Sequence, residues 1–394
     1  MTTSALSLEA VKRELPGGIT RLGWTFFVIG VVLCIVAYAS DANRAALNNI
    51  VILMFIASLA GGAVFLIALE YISGAVWSVP MRRINEFLAG LTPVAPLLAI
   101  PIFFHMHDVF HWTHADAMAG DPVLASKSAY LNVGFFVLRY VIVFILWIAF
   151  YLLFVRNSTR QDESKDPRLT TINTRLAAAF LPLFALSLTV IALDWSMSLE
   201  PHWYSTIFGV YYFSGTALAA VAAATLVIVP LYEKGHLPGL RRDHLYSLGA
   251  LMFAFVNFWA YIAFSQFMLI WYANLPEETM WFMKRWQDGW QIVSILLIVM
   301  HFGVPYFALL PQDAKMNPRR LKIMAAWILV AHLLDMYWMV MPASGPKVPM
   351  GWQELGFAML AAGLVIVVLS WTMRRSNLMP IGDPKLERGL GFRL

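Results

Sequence analysis

Charged residues and cysteines are both scarce in this sequence. Only 13% of the 394 residues are Asp, Glu, Lys or Arg, and 60% are hydrophobic. Soluble domains carry about 25% charged residues, so this composition excludes a soluble globular protein and favours one that a bilayer surrounds. The single cysteine, Cys34, cannot form an internal disulfide, a zinc cluster or an iron–sulfur cluster. The chain is therefore expected to hold no iron–sulfur centre of its own.

Long hydrophobic runs fill most of the chain. Each is close to the ~20 residues that a helix needs to cross a bilayer. Helix is the expected form because every backbone amide in lipid must be paired within its own segment. The sequence therefore predicts an all-α membrane protein with about ten transmembrane helices. The predicted helices occupy residues 22–39, 50–74, 88–107, 129–155, 176–195, 207–231, 245–272, 289–310, 321–341 and 353–373.

The segments between these runs are unequally basic. If the first helix starts in the cytoplasm, 22 of the 28 Lys and Arg residues lie in cytoplasmic segments and five in outer segments, while Arg139 lies within a helix. Cytoplasmic loops are enriched in Lys and Arg, so both termini are predicted to be cytoplasmic. The predicted parts are a cytoplasmic segment 1–21, a single transmembrane domain 22–373 and a cytoplasmic tail 374–394, and the longest cytoplasmic loop is 156–175. The basic residues follow membrane topology, and no nucleic-acid partner is expected.

Two halves of the predicted transmembrane domain resemble each other weakly. The second and sixth helices are each followed by a short loop that carries an arginine pair, and the fifth and ninth helices end in an acid next to aromatic residues. These features predict a duplication of residues 50–195 and 207–341 in one orientation. The halves would be two four-helix bundles, helices 2–5 and 6–9, flanked by helices 1 and 10. Selection for basic cytoplasmic loops would also produce this likeness.

Ionisable residues inside the predicted helices are few. Each costs at least ~2.5–3.5 kcal/mol in hydrocarbon, so they are expected to face the bundle interior. Their distribution is that of two proton half-paths that approach the midplane from opposite faces, although Arg139 could instead pair with an acid and join helices. The proton-path candidates are Glu70, Glu233, Asp194, Asp335, His301 and His332. The candidates for an outer half-path or a quinone pocket are His105, Asp108 and Arg139.

Some of the histidines raise the question of metal or haem binding. His107, His111 and His114 have i, i+4, i+7 spacing, so on a helix they would share one face that either binds a metal or lies at the headgroups. A haem needs two neutral histidines on facing helices at one depth, and His301 with His332, or His105 with either of them, could supply them. The regularly spaced histidine pairs typical of membrane cytochromes are missing. We predict neither a metal site nor a cofactor bound by this chain.

The most distinctive segment, residues 194–213, joins the fifth and sixth predicted helices. Pro201 breaks the helix there, and aromatic residues on both sides lie at headgroup depth. The segment is predicted to be a docking surface for an extramembrane partner or the wall of a quinone pocket, with an ordinary aromatic belt as the alternative. The predicted docking residues are Glu200, His202, Trp203 and Tyr204.

The stretch Glu-Pro-His-Trp-Tyr-Ser-Thr-Ile-Phe-Gly at residues 200–209 resembles the ActF-type membrane subunits of bacterial alternative complex III, which belong to the NrfD-like, or polysulfide-reductase-type, group. The resemblance implies a cofactor-free, multi-pass subunit of the bacterial cytoplasmic membrane that is not catalytic alone. It would contribute assembly and a transmembrane proton path to a quinol:electron acceptor oxidoreductase. The implied partners are an ActC-like sister subunit, an iron–sulfur protein, c-type cytochromes, a terminal oxidase and lipids. Those partners would hold haem c and iron–sulfur clusters, and the quinone would be menaquinone or ubiquinone.

Two other functions stay open at this point. The chain could bind quinol directly, with His105, Asp108 or Asp194 as the proton acceptor. It could also be a secondary transporter with a duplicated fold, since transporter helices often break at midmembrane. Gly61-Gly62 offers such a break in the second predicted helix, but the sixth has no matching one.

Overall fold

The computed structural model describes residues 12–394, and ten of its helices are long and apolar enough to cross a membrane. They are α1 (Gly17–Ser40), α2 (Ala42–Ser73), α3 (Val79–Phe104), α4 (Val133–Ser164), α5 (Arg168–Leu199), α6 (Phe208–Glu233), α7 (Arg242–Ala273), α8 (Trp290–Leu309), α9 (Pro318–Ser344) and α10 (Trp352–Met373). No strand occurs within residues 12–394. The prediction of an all-α, multi-pass membrane protein with ten spanning helices is confirmed. Residues 1–11 of the predicted segment 1–21 lie outside the described part.

Helices α2 and α6 form the centre of the bundle. They pack against each other, α5 packs on α2, α9 packs on α6, and α1 pairs with α10. Every residue of α2 from 45 to 68 is buried, which its apolar sequence allows. Gly61-Gly62 does not break α2, and a Cβ on Gly62 would lie 2.7 Å from that of Ala220 in α6. Gly62 therefore allows close packing of α2 on α6, whereas Gly61 lies against Trp147 of α4 and Phe184 of α5. The duplication and the orientation in the membrane stay predictions.

Two helices run beyond their hydrophobic segments. Helix α4 ends at Ser164 and α5 begins at Arg168, so the predicted loop 156–175 is wrong. The Gln161 side chain donates hydrogen bonds to Asp166 O (2.9 Å) and to Thr170 Oγ1 (2.8 Å), which ties the two helix ends together. Hydropathy marks only the part of a helix that hydrocarbon would cover, and the polar ends of these helices lie outside that part.

Two spanning helices are irregular. Helix α3 alternates between α-helical and 3₁₀ turns, because Pro93, Pro96 and Pro101 remove amide donors from its ladder. Helix α8 contains a π turn at Val299–Gly303, a feature that often marks functional sites. The shorter helices outside the spans are Met106–Val109, Ala115–Gly120, Pro122–Ser126, Pro276–Lys284, Gln312–Met316 and Leu386–Leu390.

The C-terminal segment 374–394 packs on the end of the bundle where α2 ends and α3 begins, which we call the basic face. Asp383 accepts an ion-pair contact of 2.7 Å from Arg82. His244 Nε2 lies 2.9 Å from the carbonyl oxygen of Gly389, and the backbone N–H of Gly382 donates to the carboxylate of Asp162. The segment predicted as a tail is thus a packed part of the structure.

Candidate functional site

Three predicted site residues from two helices meet inside the bundle. His301 in α8 and His332 and Asp335 in α9 place donor atoms within 4.8 Å of one another, and we call them the His–Asp cluster. Each of the three side chains is at most 1% exposed. The i, i+3 spacing puts His332 and Asp335 on one face of α9. His301 lies in the π turn of α8.

Asp335 is held by neutral hydrogen-bond donors. The Tyr211 hydroxyl donates to Oδ1 at 2.5 Å, and the Trp259 indole N–H donates to Oδ2 at 3.0 Å. His301 Nε2 lies 3.9 Å from Oδ2, which is beyond direct hydrogen bonding. Within residues 12–394, no lysine or arginine pairs with this carboxyl group. No fixed cation therefore holds Asp335 in one charge state.

The two imidazoles carry ring nitrogens that have no hydrogen-bond partner within residues 12–394. The Ser58 hydroxyl donates to Phe55 O, so its oxygen accepts the Nε2–H of His332 at 2.7 Å. That bond leaves Nδ1 of His332 as an acceptor, and neither it nor either ring nitrogen of His301 has a partner in the described part of the chain. Trp259 stacks on the ring of His301 with centroids 4.0 Å apart. The cluster can therefore accept, hold and release protons at several atoms.

The cluster fits haem poorly. The His301 and His332 rings have centroids 6.2 Å apart and an interplanar angle of 68°. Trp259 covers one face of His301, and a Cβ on Gly215 would lie 3.1 Å from the His332 ring. These neighbours fill the space that a porphyrin would need, so we assign no haem to the pair.

A cavity of about 910 Å³ lies beside the cluster, between α7, α8 and the short helix Pro276–Lys284. Tyr211 and Trp259, the two donors to Asp335, form part of its wall. Exposed lining residues such as Tyr261 and Phe264 open the cavity at the side of the bundle. In a membrane this opening would face lipid, so the cavity connects the surroundings of the cluster with the hydrocarbon.

The cavity wall also carries one buried amide. Gln266 is 3% exposed, and neither its nitrogen nor its oxygen has a hydrogen-bond partner in the described residues. Arg285, likewise in the wall, donates to the backbone oxygens of Trp338 and Met339. Burial lowers the pKa of Arg285 to about 10, so it stays charged at neutral pH. The apolar cavity therefore offers one free donor and one free acceptor at Gln266.

Glu70 lies away from the cluster, in a buried ion-pair network at the basic face. Arg82 contacts Glu70 at 2.8 Å, Asp383 at 2.7 Å and Glu86 at 3.4 Å. Arg83 forms further ion pairs beside this group. The network joins α2, α3 and the C-terminal segment, so the geometry gives Glu70 a role in holding helices together.

Asp194 is also paired with a guanidinium. Arg139 Nε donates to Oδ2 at 2.8 Å and Nη2 to Oδ1 at 2.9 Å, and the Tyr130 hydroxyl donates to Oδ1 at 3.0 Å. The Arg139 side chain lies over the Tyr130 ring, 3.7 Å from its centroid. This bidentate pair joins α4 to α5 and matches the structural alternative that the sequence left open for Arg139.

The other acid and histidine candidates lie near the surface. Glu233 pairs with Lys322 at 2.5 Å and is partly exposed. His105 and Asp108 pair with each other at 2.8 Å at the end of the bundle opposite the basic face. None of these three candidates belongs to the His–Asp cluster.

The three spaced histidines do not lie on one continuous helix, so the helical face considered for them does not form, although the rings of His107 and His111 lie 5.3 Å and 6.3 Å from that of His114. Phe110 has extended backbone between the helix Met106–Val109 and the 3₁₀ turn His111–Thr113. The His114 ring instead bonds the backbone oxygen of His107 at 2.8 Å. The interruption breaks the periodicity on which the spacing argument depended.

The predicted docking residues divide into internal and exposed ones. Trp203 is buried and stacks on Trp281 with ring centroids 4.6 Å apart, and Glu200 lies 3.4 Å from Arg285. His202 and Tyr204 are exposed, and the hydrogen bond from His202 lowers the pKa of Asp121. Only the exposed pair is available to a partner.

No family model matches the chain, and no curated protein is significantly similar to it. The resemblance of residues 200–209 to ActF-type subunits therefore stays a prediction.

Sequence reasoning missed the residues that surround the cluster. Tyr211 and Trp259 are two among many aromatic residues, and nothing local distinguishes them as donors to a carboxylate. Ser58 is a lone hydroxyl in an apolar run. Gln266 could have been identified from the sequence, because a side-chain amide inside a predicted transmembrane helix is rare and needs a hydrogen-bond partner.

Proposed function

We propose that this chain is the membrane subunit of a quinol:electron acceptor oxidoreductase of the alternative complex III type, and that its His–Asp cluster exchanges protons during quinol oxidation. The observation that carries the proposal is Asp335, a buried carboxyl group with two neutral donors, no fixed cation and two adjacent imidazoles. Carboxyl and imidazole groups are the usual proton carriers of proteins. The resemblance of residues 200–209 to ActF-type subunits supports the proposal that the complex is of the alternative complex III type.

We infer a route for protons from the order of the side chains. Tyr211 at the cavity wall donates to Asp335, the two imidazoles lie beside Asp335, and Ser58 in α2 bonds His332. Between Ser58 and Glu70, residues 59–69 of α2 are all apolar. No side chain of α2 therefore extends this route toward the basic face. Electrons would pass through haem and iron–sulfur clusters of partner subunits.

Substitution of Asp335 tests the proposal. Asp335→Asn keeps the shape of the side chain but removes its exchangeable carboxyl proton, so it should abolish or strongly reduce proton translocation by the reconstituted complex during quinol oxidation. Asp288→Asn makes the same chemical change at an exposed position outside the spans and should leave translocation unchanged. Both variants would be compared in proteoliposomes with a pH-sensitive dye, after haem spectra have shown equal assembly. An unchanged ratio of protons to electrons in Asp335→Asn would refute the proposal.

The cavity favours a second candidate function, the binding of quinol by this chain. A quinol ring could bond the free amide of Gln266 while its isoprenoid chain leaves through the lipid-facing opening. This location differs from the one expected from sequence, because His105, Asp108 and Asp194 are already paired elsewhere.

Quinone retention tests this second candidate. Gln266→Leu should reduce the quinone that co-purifies with the complex, measured by extraction and chromatography. The matched control is Gln287→Leu, at an exposed position outside the spans. Equal quinone content in both variants and the parent would count against binding in this cavity.

A further inference from the structure

A separate groove lies at the basic face, where α8 ends and α9 begins. Its volume is about 720 Å³, and its walls combine two arginines with apolar side chains. Phe307 is 72% exposed and Ile323 is 52% exposed, so both present apolar surface outward from helices that would be in the membrane. Arg319 and Arg320 are exposed at the polar end of the same groove.

We propose that this groove binds an anionic glycerophospholipid. The phosphate would contact Arg319 and Arg320, and the acyl chains would lie along Phe307 and Ile323. Guanidinium groups match phosphate oxygens in geometry and charge, and basic pockets between spanning helices recognise anionic headgroups. The inference does not depend on the proposed function, since it involves neither the His–Asp cluster nor the α7–α8 cavity.

The charges around the groove leave both guanidinium groups available. Arg319 has no ion pair within the described residues, and Arg320 makes only a long contact of 3.5 Å to the backbone oxygen of Ala308. Lys322 is one turn away, but Glu233 already pairs with it at 2.5 Å. The positive charge that faces the groove therefore comes from Arg319 and Arg320.

The partial negative charge at the C-terminal end of α8 does not cancel the positive charge of the two arginines. Its last carbonyl groups would present negative charge toward the groove, but Lys315 Nζ lies 2.8 Å from the oxygens of both Leu309 and Leu310 and satisfies them. Asp313 is exposed in the short helix Gln312–Met316 and forms no ion pair within residues 12–394. The polar end of the groove is thus net positive, which selects a lipid with negative charge over a zwitterionic one.

Lipid retention tests the proposal on the full chain. The protein would be purified in mild detergent, and bound phospholipids would be quantified by mass spectrometry. The double variant Arg319→Gln/Arg320→Gln should lose at least half of the retained anionic phospholipid. The matched control is the double variant Arg374→Gln/Arg375→Gln. These two arginines already contact Glu14 and Trp371, so this variant should keep its bound anionic phospholipid.

Titration of the parent protein provides a test that does not depend on the folding of a variant. Phosphatidylglycerol and phosphatidylethanolamine with identical acyl chains would be added to the delipidated protein, and the bound adducts would be counted by native mass spectrometry. Preferential binding of phosphatidylglycerol, lost in the Arg319/Arg320 variant, is the expected result. Equal binding of the two lipids, or equal retention by the two double variants, would overturn the proposal.

Discussion

Arg82 is the residue whose loss should destabilise the basic face most. It is buried and contacts Glu70, Asp383 and Glu86, and only Glu86 has a second cation, Arg83 at 2.6 Å. Arg82→Met would therefore leave two buried carboxylates, Glu70 and Asp383, without a paired cation. Removal of one member of a buried ion pair typically lowers the free energy of unfolding by about 3–5 kcal/mol. Because Arg82→Met would affect two buried acids, we expect a loss near the upper end of this range, about 5 kcal/mol.

The assay is unfolding by SDS titration in mixed micelles, followed by the fluorescence of the 15 tryptophans. The control is Arg374→Gln at the same face, which breaks an exposed pair with Glu14 and should cost about 0–1 kcal/mol. Addition of Glu70→Gln to Arg82→Met should recover part of the loss, with a coupling energy of about 0.5–3 kcal/mol. A loss for Arg82→Met no larger than that of the control would refute the network's role.

Three further predictions concern single contacts. Tyr211→Phe removes a donor to Asp335 and should slow proton translocation about tenfold, the equivalent of one hydrogen bond. Gly62→Leu should destabilise the contact of α2 with α6 by about 1–3 kcal/mol in the same SDS titration, because its side chain would overlap α6. The lowered pKa of Asp121 means that its bond to His202 persists at neutral pH and is lost as the pH falls below the usual 3.8. Protection of residues 198–206 against hydrogen exchange, relative to the intrinsic rate at each pH, should therefore fall in acid, and Asp121→Asn should abolish that dependence.

The helices could be predicted from sequence because hydropathy and the distribution of basic residues act over whole segments. The helix ends could not, since Ser164 and Arg168 lie in polar sequence that hydrocarbon does not cover. His107, His111 and His114 show the complementary error: helical spacing was read across a backbone break at Phe110 that no strong signal marks.

The roles of the acids depended on partners that are distant in the chain. Glu70, Asp194 and Asp335 look alike in sequence, as single carboxyl groups in or next to apolar runs. Structure separates them, because Arg82 and Arg139 neutralise the first two, whereas Asp335 meets neutral donors from α6 and α7. Packing of the whole bundle decides which side of each helix faces which neighbour. Inspection of a single sequence does not reveal that packing.

The most direct test of the central claim observes the proton on Asp335 itself. Redox-induced infrared difference spectra of the proposed complex, recorded during quinol oxidation with and without isotope-labelled aspartate, detect protonation of individual carboxyl groups. We expect a label-sensitive carboxyl band in the parent that is absent from Asp335→Asn and present in Asp288→Asn. Identical carboxyl bands in the parent and in Asp335→Asn would show that this residue does not change protonation, and would contradict the account.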